Sequence, residues 1–333
     1  MTKIHCAADA EGNVHFGART IAPPRSISPE ARQLLAAAYN RPGLAKCPPL
    51  DDKAAWRAMI AASNKAFEPM ADMILQMSPA HIETTRIADV VVHIGTPLQL
   101  SAVGAERALL VLHGGALIFL EGKFAMAMAA ANAAQAGCKA YSVDYRMPPD
   151  FPYPAALDDG LAVYRELLDN YAPENIMISG GSAGGNLAAA LTLKIRDLGL
   201  PMPAGVILLT PEIDLTESGD SFQTNFELDA VLKKGLPEVN ALYADGHDLA
   251  DPYLSPLFGD FSKGFPPTFI QAGTRDVFLS NAVRMHRALR NANIPAELHI
   301  WEGMPHGGFG GAPEDMELVL ETMRFMEKYW GKR

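Results

Sequence analysis

The sequence predicts an α/β protein: a mostly parallel central sheet with helices on both faces, overlaid by a helical cap. The sheet rests on texture. From about residue 82, short apolar β-rich runs alternate with longer segments of helical periodicity. Continuous apolar strands separated by helices are the pattern of a parallel sheet covered on both sides, with right-handed crossovers. The cap rests on two excursions, residues 1–80 and 215–262, which break that alternation. Long excursions within a compact domain usually serve function. The domain reading is a helical cap segment over 1–80 and a main domain over 81–333, with 215–262 inserted as a second cap segment.

Residues 1–80 read as helices and loops without a clear strand. Ser28-Pro29-Glu30 supplies an N-cap, a first-turn proline and a first-turn carboxylate, so a helix should start there. A second helix should begin near Asp51 and Asp52, carrying Trp56, Met59, Ile60 and Phe67, and Pro69 should restart the pattern at Met70, Ile74 and Met77. Strands are expected at Thr84 to Ile94, Ala108 to Leu112, Ala140 to Val143, Ile176 to Ile178, Val206 to Leu209, Pro267 to Ile270 and Glu297 to Ile300. The first strands have no helix between them, which leaves them free to be antiparallel. Helices are expected at Glu121 to Ala136, Ala155 to Leu168, Ala183 to Leu198, Asn281 to Asn291 and Pro313 to Trp330, with a shorter one near Leu236 to Ala244.

Composition narrows the function classes. Of 333 residues, 49% are hydrophobic and 20% charged, the balance of a soluble globular chain. A net charge of −10 without a Lys/Arg run argues against nucleic acid and anionic membrane surfaces as partners. Cys6, Cys47 and Cys138 are too few and too scattered for a disulfide framework or a Cys-x-x-Cys metal site, which fits a reducing cytoplasm. Met1 to Ala10, with Lys3, His5 and Asp9, lacks the apolar stretch of a signal peptide. The longest apolar run, Phe124 to Ala136, is interrupted by Asn132 and Gln135 and falls short of the ~20 residues that span a bilayer.

Chemistry enters at Gly180-Gly181-Ser182-Ala183-Gly184, between a strand and an Ala/Leu-rich helix. A serine on a tight strand-to-helix turn needs small residues two before and two after it. The helix then points its N-terminus at the serine, and the Ala183 N–H is placed for an oxyanion. The Gly-Lys-Ser/Thr ending of a phosphate loop is missing. His113-Gly114-Gly115-Ala116 follows the strand Ala108 to Leu112, and Gly114 and Gly115 can offer N–H groups to the same oxyanion, with His113 supporting the loop.

In this architecture the chain order of a triad is Ser, then Asp or Glu, then His. Of nine histidines, His247, His286, His299 and His306 follow Ser182. His286 lies in a helical pattern, His299 in a strand and His247 in the insertion, whereas His306 occupies a loop directly after the last strand. Asp276, in Ala272-Gly273-Thr274-Arg275-Asp276 after another strand, is the acid that would orient His306.

With these residues in place the chain resembles the hormone-sensitive-lipase-like family of α/β-hydrolases, which includes bacterial esterases and lactone hydrolases. The likeness runs from Ala108 to Phe309 and includes Asp144-Tyr145-Arg146, Pro152 to Asp159, the serine turn, Asp251 to Leu257, Pro266-Pro267 and the Gly273-to-Asp276 turn. Three positions depart from the family pattern. Gly181 stands where an acidic or hydroxyl residue is frequent, Ala116 where a third glycine is common, and the His306 turn carries an extra glycine before Phe309. The resemblance implies an α/β-hydrolase fold whose cap matches the two excursions, and it implies that Asp144 and Arg146 are a structural pair.

Asp158 and Asp159 read as a helix-face pair, Glu212 and Asp214 as capping or support beside the site. The methionines Met59, Met70, Met73 and Met77 divide evenly between core and an adaptable apolar cap wall.

The expected activity is hydrolysis of small neutral carboxylic esters, lactones included, through an acyl-enzyme, with Ser182, His306 and Asp276 as triad and Gly114, Gly115 and Ala183 as oxyanion donors. No metal and no organic cofactor is required. The alternatives are a non-catalytic small-molecule receptor on the same fold, or an amidase or deacetylase. A homodimer is compatible with the composition.

Overall fold

In the computed structural model the described residues are 7–331, apart from 16, 19, 41, 42 and 44; Cys6, His5 and most of the Met1 to Ala10 segment lie outside them. Two two-residue strands, β1 (Ala7–Ala8) and β2 (Val14–His15), pair antiparallel where no strand was expected. Helix α1 (Pro29–Tyr39) starts as predicted: Ser28 is its N-cap and accepts the Ala31 N–H at 3.0 Å. Helix α2 (Lys53–Met77) has Asp52 as N-cap and, contrary to the expected restart, runs unbroken through Pro69. An interior proline costs about 3 kcal/mol in a helix. Burial of Trp56 and Ile60 before it and Ala71 after it offsets that loss.

The single run expected at Thr84 to Ile94 is two strands, β3 (Ala80–Ile87) and β4 (Val90–Pro97), paired antiparallel. Ala88 and Asp89 turn the chain between them, both at positive φ, +46° and +66°. The remaining elements follow in chain order: α3 (Ala102–Ala105), β5 (Ala108–Leu112), α4 (Lys123–Ala136), β6 (Lys139–Val143), α5 (Ala155–Leu168), β7 (Ile176–Gly181) and α6 (Ala183–Asp197). Then come β8 (Gly205–Leu209), α7 (Ser221–Thr224), α8 (Pro237–Ala244), β9 (Thr268–Gly273), α9 (Leu279–Asn291), β10 (Ala296–Trp301) and α10 (Pro313–Tyr329).

Eight strands form one sheet in the order β10-β9-β8-β7-β5-β6-β4-β3, parallel except at the β3, β4 and β6 edge. Side-chain alternation divides the core. Leu110, Leu112, Ile178, Val206, Leu208 and Ile270 face α5, α6 and α9. Leu109, Val111, Met177, Ile207 and Phe269 face α4 and α10 on the other side. At roughly 1.5 to 3 kcal/mol for each large apolar side chain removed from water, these two layers hold the sheet rigid beneath the loops at its edge.

The excursions meet over the carboxyl ends of the strands. Trp56 and Ile60 of α2 pack with Ile118 and Phe119 after β5, with Phe222, Leu236 and Val239 from residues 215–262, and with Val277 and Phe278 after β9. Ile27, just before α1, and Ala31 and Leu35 within it pack near Ala230, Met304 and Phe309.

Candidate active site

Register brings the reactive loops together. In the β5–β7 pair Leu112 lies opposite Gly180, so the His113 loop and Ser182 leave the sheet side by side. In the β9–β10 pair Gly273 lies opposite Trp301, so the Asp276 and His306 loops also emerge as neighbours.

Ser182 is the residue between β7 and α6, at φ +56° and ψ −123°, a conformation that L-residues rarely adopt. Its N–H donates to the Leu209 carbonyl at 2.8 Å, which fixes the turn to β8. A Cβ at Gly180 would stand 2.0 Å from the Gly184 carbonyl oxygen, and one at Gly184 2.0 Å from the Leu112 oxygen. The two glycines flanking the serine are therefore required by contact. Ala183 is the first residue of α6, so its N–H belongs to the first-turn donors that no intrahelical carbonyl takes.

The His113 loop crosses directly over Ser182: a Cβ on Gly114 would lie 3.5 Å from the Ser182 Cβ. Gly115 is at φ +117°, where an added Cβ would meet the Phe119 carbonyl oxygen at 2.2 Å. Ala116, which departs from the family pattern, takes a left-handed φ of +52° nonetheless. The His113 ring stacks on Tyr145 with centroids 4.1 Å apart. Its Nδ1 lies 2.7 Å from the Gly114 carbonyl, and the Tyr145 hydroxyl donates to the His113 carbonyl at 2.7 Å. His113 thus braces the loop.

His306 Nε2 is 2.9 Å from Ser182 Oγ, and His306 Nδ1 is 3.2 Å from Asp276 Oδ1. With a carboxylate as acceptor, Nδ1 carries the proton and Nε2 is left to accept from the serine hydroxyl. Both side chains are buried, and the Phe278 ring stands edge-on to the imidazole at 4.9 Å. Burial disfavours the imidazolium, but Asp276, then Asp229 and Glu212, outweigh it and hold the His306 pKa above the ordinary 6.5.

Two of those carboxyls have roles that the sequence did not disclose. Asp229, within the insertion, reaches the His306 backbone N–H and the Val277 N–H; its surroundings in the sequence, Leu228 to Leu232, carry no motif that marks it. Glu212, expected beside the site, is buried with Oε2 lacking a hydrogen-bond partner, and its N–H donates to the Ser182 carbonyl at 3.1 Å. Desolvation, then the nearby Glu217, pushes its carboxyl up to about 8. Asp214 instead anchors the insertion, bound by Thr216, Ser218 and Arg284.

Several expected partnerships differ. Asp144 and Arg146 do not pair with each other: Asp144 accepts the Gly122 N–H and faces His93, while Arg146 binds Asp159 through its backbone and guanidinium. Asp158 pairs with Lys194, so the two adjacent aspartates point to different elements. Of the methionines, only Met59 packs into the cluster around Trp56; Met70, Met73 and Met77 face solvent, Met77 being 76% exposed.

Among the described residues no cluster of His, Cys, Asp and Glu could hold a metal ion, and no helix is long and apolar enough to cross a membrane. A surface cavity of about 670 Å³ lies at the amino ends of β8 and β9 beside Met202, Pro203 and Phe265.

Comparison with known proteins identifies the fold and the family. Residues 109–309 match a family described as the alpha/beta hydrolase fold. An esterase of Acinetobacter venetianus is 32% identical over 251 residues, covering 72% of this chain and 80% of the relative. The crystal structure of the esterase E25 superposes with a TM-score of 0.85 at 31% identity, covering 95% of this chain and 98% of the other. An esterase described as from the bacterial hormone-sensitive lipase family superposes at 0.78 with 28% identity, covering 91% and 99%.

Proposed function

We propose, for a chain that belongs to the α/β-hydrolase family in its hormone-sensitive-lipase-like branch and is a carboxylic ester hydrolase, that Ser182, His306 and Asp276 form its triad and cleave small neutral esters, lactones among them. The observation that carries the reading is the continuous buried line from Ser182 Oγ to His306 Nε2 at 2.9 Å and from His306 Nδ1 to Asp276 Oδ1 at 3.2 Å.

Ser182 Oγ attacks the ester carbonyl carbon while His306 Nε2 takes its proton, and Asp276 stabilises the imidazolium. The developing oxyanion accepts N–H bonds from Gly114, Gly115 and Ala183; in studied hydrolases one such donor is worth about 2.7 to 4 kcal/mol. The imidazolium then protonates the departing alkoxide. Water, deprotonated by His306, attacks the acyl-Ser182 carbonyl and releases the acid. The apolar cluster of Trp56, Ile118, Phe119, Phe222 and Phe278 supports a cap role for residues 1–80 and 215–262, and with the net charge of −10 it favours neutral substrates of modest size.

The test is turnover of p-nitrophenyl acetate and butyrate, and of lactones of matching size, by the parent and Ser182→Ala. The variant is expected to lose at least about a thousandfold in kcat. Equal rates would remove Ser182 from the mechanism, and lactones left intact by an ester-active parent would confine the substrate class to open-chain esters.

A further inference from the structure

Asp229 takes no part in the mechanism above, yet it is completely buried against it. Oδ1 accepts the N–H of Val231 at 2.9 Å and of Leu232 at 3.2 Å. Oδ2 accepts the Val277 N–H at 3.1 Å, and the His306 backbone nitrogen lies 3.3 and 3.4 Å from the two oxygens. Val277 is the residue next to Asp276. A single carboxylate therefore holds the main chain of both the acid loop and the base loop. It is the last of three clamps spaced four residues apart along the insertion: the Ser221 hydroxyl donates to the Val277 carbonyl, and the Asn225 amide to the carbonyls of Thr274 and Asp276.

We propose that Asp229 is a positioning residue for ester hydrolysis: from the insertion it sets the backbones that carry Asp276 and His306, and its charge stabilises the imidazolium formed when Ser182 yields its proton. The inference rests on the reading of His306 as the base. Four groups with polar or charged side chains face that ring: Asp276 from the loop after β9, Asp229 from the insertion, Glu212 from the loop after β8, and the Ser182 hydroxyl. Asp229 itself faces Asp276 and His306. The neighbouring Arg275 is directed elsewhere, to the Tyr39 hydroxyl and the Ala22 carbonyl. Two buried carboxylates side by side repel. Burial, then Asp276, pushes the Asp229 carboxyl above its ordinary range, and a positive His306 relieves both. The catalytic cycle creates that positive charge twice, once in acylation and once in deacylation.

The experiment compares parent, Asp229→Asn and Asp229→Ser in kcat, KM and the rate of inactivation by a serine-directed phosphonate from pH 5 to 9, with thermal unfolding as a check on folding. The parent should lose activity on acidification with a midpoint above 6.5, the direction in which its neighbours move His306. In Asp229→Asn, kcat and phosphonylation should fall about tenfold or more with KM within about threefold. The acidic midpoint should drop by roughly half a unit or more, because the imidazolium has lost an anion. Asp229→Ser keeps a small acceptor without charge and gives the same readout if the asparagine variant does not fold. Unchanged kcat, or a loss of kcat with the midpoint unmoved, overturns the proposal. A parent whose Ser182 is not phosphonylated would instead overturn the triad reading beneath it.

Discussion

The two halves of the proposed site, nucleophile and base, are built by opposite means. The nucleophile half is local: Ser182, its strained φ and the Ala183 N–H all come from one strand-turn-helix passage between β7 and α6, closed by Gly180 and Gly184. The base half is composite: His306, Asp276 and Asp229 come from three separate loops and touch only after the sheet and the insertion are in place. The turn is rigid because its own atoms crowd Gly180 and the Leu112 and His113 carbonyls crowd Gly184. A composite cluster is rigid only insofar as hydrogen bonds tie its parts, which is why the insertion contributes Ser221, Asn225 and Asp229 to the same loops. The difference teaches that damage to the first half should appear as lost folding, and damage to the second as lost rate.

The largest effect expected from testing that contrast is on Asp276→Asn. The amide keeps the shape but favours the wrong tautomer of His306, so kcat should fall about 10⁴-fold while the unfolding temperature stays near that of the parent. A variant within tenfold of the parent would show that another carboxyl, Asp229 being the adjacent one, orients the ring. Gly184→Ala comes next. Its Cβ would sit 2.0 Å from the Leu112 oxygen and 2.6 Å from the His113 oxygen, so the chain must shift or unfold, at about 3 kcal/mol. Chemical denaturation should show the loss; full stability with low activity would mean that the turn yields more readily than its packing implies.

The smallest effect is expected at Glu212, which sits between the halves. Its folded pKa of about 8 exceeds the ordinary 4.5, so the native state holds a proton that the unfolded chain releases. Stability is therefore lost as pH rises from about 4.5 through 8, and Glu212→Gln escapes that loss. The gap in unfolding free energy between variant and parent should widen steadily from pH 5 to 8. A gap that stays constant across this range would place a charged, solvated Glu212 in the native state.

Legibility in the sequence followed the same division. Helices α1 and α5 begin where caps and periodicity place them, since a Ser28 cap or an apolar stripe on Ala155–Leu168 acts within a few residues. The β3–β4 hairpin was hidden because Ala88-Asp89 carries none of the glycine or asparagine that ordinarily announces a positive-φ turn. Pro69 misled because its cost is local while the burial that offsets it, through Trp56, Ile60 and Ala71, depends on what α2 packs against. The family resemblance implied that Asp144 and Arg146 pair, but in the fold they face His93 and Asp159 instead.

By itself the sequence determined the alternation of strands and helices, the serine turn, and the chain order of Ser182, Asp276 and His306. These follow from side-chain size, backbone sterics and hydrophobic period, all of which operate over a handful of residues. Tertiary structure alone decided that Met70, Met73 and Met77 face solvent and that Glu212 is buried without a partner for Oε2. It alone brought Asp229 under the His306 loop, 77 residues away in the chain. Burial and charge pairing depend on which distant segments share a volume, and that is set by how the insertion folds across the sheet.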